Sequence, residues 1–357
     1  MYIKKVLLNN FRNYKEQEIN LNKNINIIYG NNAQGKTNII ESIFLCAYGK
    51  SFKAKKDKDL IKFGEEFGKV EVEYEKIDRV GSICAEINNK KTFFINKVRQ
   101  NKISDIIGKI NVVIFTPDDI EIIKDGPAKR RKFLDMMISS LKPNYLHLLN
   151  DYNKVLEQRN NYLRQIKLER RDPSLLDIWD EQLSNFAFKI YEYRKFYIEK
   201  ILKHIDEIHN LITKSGKKEE ISIKYITNGK SKEIFLENLK KSRNIDIQRG
   251  FTGVGIHRDD FVISVNGKNV SIFGSQGQQR TVILTLKLCE LKIVKEEIGD
   301  SPILLLDDFM SELDEQRRKS FLENIKGNQV IITCTDRIYL ENESSTFYVE
   351  NGKCEKV

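Results

Sequence analysis

The residues best suited to chemistry stand together near the start of the chain. Gly30-Asn31-Asn32-Ala33-Gln34-Gly35-Lys36-Thr37 matches GxxxxGK[ST] in full. The apolar run Ile25-Asn26-Ile27-Ile28-Tyr29 precedes it, and Ile39, Ile40, Ile43, Phe44 and Ala47 follow at helical spacing. That context suits a phosphate-binding loop: glycines let the backbone curl until successive N–H groups face phosphate oxygens, and the helix start adds partial positive charge. All eight residues are candidate nucleotide ligands. Lys36 would bridge the β- and γ-phosphates of ATP, and Thr37 would offer its hydroxyl to Mg2+. Such a loop also needs a carboxylate on the tip of a buried strand. Ile303-Leu304-Leu305-Leu306-Asp307-Asp308 supplies it, with four aliphatics fitting a strand covered on both faces. Asp307 is the candidate metal ligand. Asp308 is the candidate for orienting or deprotonating the attacking water, or else a turn or cap residue.

A third segment, Ser275-Gln276-Gly277-Gln278-Gln279-Arg280, opens a helical run through Leu284, Leu288, Leu291 and Val294. Small residues at a helix start expose N–H groups and a hydroxyl, so Ser275, Gly277 and Gln278 are candidates for a second anion site. One chain has no need of two sites for one γ-phosphate. The economical expectation is that this segment caps nucleotide held by another copy of the chain.

The elements that must position these residues are legible in outline. Tyr2 to Leu8 alternates like a strand; Val70 to Tyr74, Ser82 to Ile87 and Thr92 to Ile95 read as short antiparallel strands. Val112 to Phe115 is an apolar strand stopped by Thr116-Pro117, and Val330 to Thr333 is another buried strand. The end, Phe347 to Cys354, reads as a hairpin over Asn351-Gly352. Between them the texture changes. Tyr145, Leu149, Tyr152, Leu156 and Leu163 keep a heptad rhythm that Arg159 breaks; Arg170 to Ser174 is a turn; the rhythm resumes from Trp179 to Ile208. The expectation is an α/β head built from residues 1–126 and 250–357, with a helical arm, residues 127–249, inserted as an antiparallel hairpin.

The chain has 357 residues, 61 Lys and Arg against 51 Asp and Glu, and a formal net charge of +10, which permits a polyanionic partner without establishing one. The densest basic stretch is Lys50, Lys53, Lys55, Lys56, Lys58 and Lys62, opposed by Asp57 and Asp59. Lys129-Arg130-Arg131-Lys132 is a second, and Arg159, Arg164, Lys167, Arg170 and Arg171 are expected to decorate the arm. A solvated face is the usual fate of any one such lysine; collectively Lys50 to Lys62 is a candidate surface for a polyanion. No apolar run reaches the roughly 18 residues of a membrane helix or forms a signal-peptide core. The five cysteines form no CxxC pair and the four histidines no ligand spacing, as expected of a cytoplasmic protein with reduced thiols.

The motif order supports a resemblance. A P-loop, an SxGxQ-like segment, an aliphatic-Asp-Asp strand and Ser311-Glu312-Leu313-Asp314 follow one another as in ABC-type ATPase heads of the SMC and recombination-repair group. Ser311 to Asp314 resembles their D-loop, which makes Asp314 a further nucleotide-site candidate. Within that group the chain is similar to the RecF family. Asn10-Phe11-Arg12-Asn13-Tyr14, Phe115-Thr116-Pro117-Asp118-Asp119, Arg130-Arg131-Lys132-Phe133-Leu134-Asp135 and Gly255-Ile256-His257-Arg258-Asp259-Asp260 carry the likeness. The resemblance implies an ABC-type P-loop head (lobe I) with an inserted helical arm (lobe II). It also implies an ATP-induced homodimer on duplex DNA near single-strand gaps and junctions, with Lys50, Lys53, Lys55, Lys56, Lys58 and Lys62 as the DNA surface, slow ATP hydrolysis, and RecR, RecO and RecA as partners in DNA repair, replication and the SOS response. There are departures. Thr333 to Asp336 offers no switch histidine, no glutamine stands at the strand end before Thr116 where a Q-loop would sit, leaving Asp118 or Asp119 to substitute, and Asp308 replaces a glutamate. Phe52-Lys53 stands where His-Arg is usual. The first three point to slow turnover. The alternative is another SMC-like P-loop ATPase, such as one serving a nuclease.

Overall fold

Short aliphatic and alternating runs build the first part of the chain. In the computed structural model, which describes residues 1–77, 79–213, 219–337 and 344–357, β1 (Tyr2–Phe11) and β2 (Tyr14–Asn20) form an antiparallel hairpin. Strand β3 (Ile25–Tyr29) runs into helix α1 (Lys36–Tyr48). Strands β4 (Gly68–Lys76), β5 (Arg79–Ile87), β6 (Lys91–Ile95) and β7 (Val98–Gln100) extend the hairpin into an antiparallel sheet of order β2-β1-β4-β5-β6-β7. The strands expected at Tyr2 to Leu8, Val70 to Tyr74, Ser82 to Ile87 and Thr92 to Ile95 are all in it. β2 and β7 join without a comparable sequence signal: Tyr-Lys-Glu-Gln-Glu-Ile-Asn is polar throughout most of its length. Strand β8 (Val112–Phe115) then ends at Thr116-Pro117 as its sequence requires.

The middle of the chain is mainly helical. It contains α2 (Glu121–Lys124), α3 (Pro127–Leu141), α4 (Pro143–Glu169) and α5 (Leu176–Thr213). It continues with β9 (Ile221–Ile226), α6 (Lys232–Arg249), β10 (Asp260–Val265), β11 (Lys268–Asn269), α7 (Val270–Phe273) and α8 (Gln276–Ile298). Ring contacts Tyr145–Tyr193 and Tyr162–Trp179 fix α4 and α5 as an antiparallel pair. Their turn starts at Arg170 in the left-handed region and is held by Asp172, which accepts from the Ser174 N–H at 2.9 Å.

The last part returns to α/β texture with β12 (Ile303–Asp307), α9 (Glu315–Asn324), β13 (Val330–Cys334), β14 (Ser344–Glu350) and β15 (Lys353–Lys356). These complete a second sheet of order β15-β14-β3-β13-β12-β8, parallel except for β15. Ile303, Leu304, Leu305 and Leu306 are fully buried, as four consecutive aliphatics in a covered parallel strand should be. The β14–β15 turn has Asn351 and Gly352 both at positive φ, the conformation its Asn-Gly pair favours.

The chain divides into two compact units: Met1–Asp119 with Leu211–Lys214 and Lys287–Val357, and Ile120–Asn210 with Ser215–Leu286. Residues 250–286, expected with the head, therefore pack with the helical unit. Two basic clusters also change meaning inside that unit. Arg159 is fully buried rather than displayed: it donates to Asp180 at 2.6 Å and to Asp246 and Thr252 at 2.8 Å. Arg130 forks onto Asp260 at 2.6 and 2.9 Å, and Arg131 donates to the Asp259 carbonyl at 2.7 Å. The Arg130–Asp135 and Gly255–Asp260 stretches thus lock one another, helped by Arg194 on Asp135. Half of the second basic stretch is internal scaffolding.

Candidate nucleotide-binding site

Register brings the distant motifs together. β13 lies between β3 and β12, pairing Cys334 with Tyr29 and Thr333 with Asp307. The strand that feeds the loop and the strand that carries the carboxylate therefore flank one short strand. Across it the Thr37 hydroxyl donates to Asp307 Oδ1 at 2.8 Å, and the Thr333 hydroxyl donates to the same oxygen at 2.8 Å. Thr333 Oγ1 also accepts from the Asp308 N–H at 3.0 Å, which fixes Asp308 in the left-handed region at φ 49. Burial pushes the Asp307 carboxyl above its ordinary value, against the pull of the two hydroxyls and the Lys53 charge. Thr333, the first residue of the stretch that offers no switch histidine, thus ties both aspartates to the sheet.

Lys36, buried, donates to the carbonyls of Gly30 at 2.6 Å and Asn31 at 2.8 Å, and so lies along the loop it serves. Burial lowers its ammonium pKa, opposed chiefly by Asp308, with Asp307 also contributing. Asn31, Asn32 and Ala33 are exposed at the loop's crest. The glycines are required by space as well as by φ. A Cβ on Gly30 (φ 149) would lie 2.3 Å from the Val349 carbonyl oxygen; one on Gly35 (φ 115) would lie 2.3 Å from Asn13 Nδ2. Gly30→Ala is therefore expected to cost the fold about 1–3 kcal/mol and to weaken nucleotide binding at least ~tenfold. Nucleotide titration alongside a denaturant melt would check this, and unchanged values in both would contradict the loop assignment.

The Asn10–Tyr14 turn braces the loop, a role its sequence does not announce. Asn13 Nδ2 donates to the Gln34 carbonyl at 2.6 Å, Asn38 donates to Asn13 Oδ1 at 2.8 Å, and the Tyr14 hydroxyl reaches the Gly35 carbonyl at 3.1 Å. Arg12 forks onto the fully buried Glu41 carboxylate with two bonds of 2.7 Å. From the other side, the Asn351 N–H donates to Gln34 Oε1 at 2.7 Å, so this side chain anchors the loop to the terminal hairpin.

The remaining candidates fall in place as follows. Ser275, exposed, caps α8: its hydroxyl accepts from the Gln278 N–H at 3.2 Å while Gln278 Oε1 accepts from the Ser275 N–H at 3.1 Å, a reciprocal box. Gly277 sits half-buried in the first turn. Asp314, exposed, caps α9 through the Arg317 N–H at 2.8 Å and pairs with the Arg317 guanidinium at 2.6 Å. Asp119 accepts from the Thr116 N–H at 2.8 Å, whereas Asp118 is exposed. Lys50, Lys53, Lys55, Lys56 and Lys58 are exposed. Lys62 departs from the expected DNA surface: it is half-buried and donates to the Asn13 carbonyl at 2.9 Å. Among the described residues no group of three His, Cys, Asp or Glu side chains is placed to hold a metal ion by itself, and no helix is long and apolar enough to cross a membrane.

A P-loop and a strand-end aspartate joined across one strand of a parallel sheet, with a helical insertion before the second half, define an SMC-like ABC-type ATPase head. The model of the RecF/RecN/SMC N terminal domain matches residues 2–355. The DNA replication and repair protein RecF of Clostridium tetani is 45% identical over 368 residues, covering 99% of both chains. That of Clostridium acetobutylicum is 45% identical over 363 residues, again 99% of both. Among solved structures, the recombination mediator protein RecF of the RecFOR pathway with ATP superposes at TM-score 0.94 with 38% identity, covering 100% of this chain and 97% of the other. Its counterpart with ATPrS gives 0.93 and 38%, covering 100% and 98%. The chain belongs to the RecF family of DNA replication and repair proteins.

Proposed function

We propose that the chain is an ATP-controlled clamp on duplex DNA, acting in recombinational repair and replication. The observation that carries this is the 2.8 Å contact between Thr37 and Asp307 beside Lys36, in a chain of this family. A hydroxyl and a carboxylate oxygen meeting at the end of a phosphate loop are the hard donors that Mg2+ takes, and bound there it would offset charge on the ATP phosphates. Lys36 would hold the β- and γ-phosphates, and Asp308 would orient the attacking water. Asp308 reaches less far than a glutamate and no histidine stands at residues 333–336, which supports a slow, DNA-stimulated switch rather than a motor.

Closure would be shared between copies. Ser275 and Gly277, with Asp314, would cover the nucleotide held by Gly30–Thr37 of a second chain, giving an ATP-dependent homodimer. The exposed lysines from Lys50 to Lys58 would meet DNA backbone near single-strand/double-strand junctions. The relatives' place in the RecFOR pathway supports RecO and RecR as partners, RecA loading as the outcome, and a cytoplasmic setting. Lys36→Arg should lower hydrolysis at least ~100-fold while changing nucleotide affinity less than about fivefold. Phosphate release and ATPγS titration measure the two; turnover at the wild-type rate would refute the assignment.

A further inference from the structure

The Ser275–Gln278 segment is held by a circuit of side-chain contacts that its own sequence does not reveal. Gln278 uses both ends of its amide: Oε1 accepts from the Ser275 N–H, and Nε2 donates to Glu219 Oε1 at 3.1 Å. The other Glu219 oxygen faces Nε2 of His209 on α5 at 3.1 Å. His209, almost fully buried, places Nδ1 3.0 Å from the Thr285 hydroxyl, which donates to the Thr281 carbonyl at 2.8 Å. Thr281 in turn donates to the Gly277 carbonyl at 2.9 Å. The path starts at Ser275 and returns to Gly277, with α5 tied into the middle.

Glu219 decides the direction of this circuit. An ionised carboxylate only accepts, so it draws the NH2 end of Gln278 toward itself and leaves the carbonyl end for the Ser275 N–H. Without that acceptor the amide is free to turn over, and a turned amide presents a donor to a donor. The cap then opens, and with it the arrangement of the Ser275 hydroxyl and the first-turn N–H groups.

We propose that Glu219 is a positioning residue for the Ser275–Gln278 segment, setting its fit to a second chain's nucleotide and linking that fit to α5 through His209. This rests on the reading that the segment closes over nucleotide in trans. The test is a charge-exchange pair read by ATPγS- and Mg2+-dependent dimerisation in light scattering, with ATPγS affinity of the dilute monomer and the thermal midpoint measured alongside. Gln278→Glu keeps an acceptor for the Ser275 N–H but sets two carboxylates against each other, and should weaken dimerisation about tenfold, within the usual range for coupled neighbours. Monomer nucleotide affinity should stay within about twofold of wild type. Adding Glu219→Gln restores a donor–acceptor pair and should bring dimerisation back to within about threefold of wild type. Failure of the double variant to recover, whether because Gln278→Glu misfolds or because Gln278 acts on nucleotide directly, overturns the proposal. So does unimpaired dimerisation of Gln278→Glu. A wild-type chain that stays monomeric under the same conditions overturns the trans reading, and this inference with it.

Discussion

Asp307→Asn is expected to reduce ATP hydrolysis by about 100-fold or more while leaving the fold at least as stable as before. The two halves of that expectation have separate causes. Asparagine keeps an oxygen where Thr37 and Thr333 now donate at 2.8 Å each, so the bridge across β13 survives. What it removes is charge. Burial holds the Asp307 carboxyl above its ordinary value in the folded chain, so above that value the ionised form weakens the fold, and a neutral amide lifts the penalty. The lost charge is also the one that would attract Mg2+ to Thr37. Nucleotide affinity without magnesium should therefore stay near wild type, and the increment that magnesium adds should disappear. Calorimetric titration with and without magnesium, beside a phosphate-release assay and a denaturant melt, separates these effects. Hydrolysis within about tenfold of wild type would remove Asp307 from the site.

How much of this site could be read from sequence depended on whether the needed contacts are local. The P-loop is one unbroken octapeptide between a strand and a helix, and the carboxylate closes a run of four aliphatics, so both declare themselves. Thr333 does not. Its role comes from β13 sitting between β3 and β12, a strand order that no stretch of residues specifies locally. Asn13 and Arg12 are hidden for the same reason: their partners Gln34 and Glu41 lie 21 and 29 residues away. Lys62 reads as one more surface lysine until its ammonium is seen on the Asn13 carbonyl. In the arm, the rhythm from Tyr145 to Ile208 correctly gives two antiparallel helices. It gives no warning of α6, whose sequence is polar enough that Phe235, Leu239 and Asp246 are its only buried residues. Asp246 matters most here, because a buried acid from one helix explains an arginine on another.

Arg159→Met should destabilise the helical unit by about 3–5 kcal/mol, although a heptad pattern alone would count it an improvement. Arg159 occupies a core position of α4 with none of its side chain exposed, among the buried Asp180 and Asp246. Methionine matches its length and suits an apolar seam, but it leaves carboxylates with less compensation. Asp180 keeps Arg243 at 2.7 Å, and Asp246 keeps the Gly253 N–H at 2.9 Å and the Ser242 hydroxyl at 3.0 Å. Arg159 Nη2 has no hydrogen-bond partner among the described residues, so the present cluster is itself not fully satisfied. Those two facts together set the expected loss within the range seen for broken buried pairs rather than beyond it. The triple variant Arg159→Met/Asp180→Asn/Asp246→Asn should recover much of the loss, because it removes the stranded charges along with their partner. Denaturant midpoints measure both. The rival reading, a surface arginine on DNA, predicts the opposite pattern: unchanged stability and a log–log salt slope of duplex binding shallower by about 0.9. Since Arg159 is sealed inside the unit, the salt slope of Arg159→Met should match wild type while its midpoint falls.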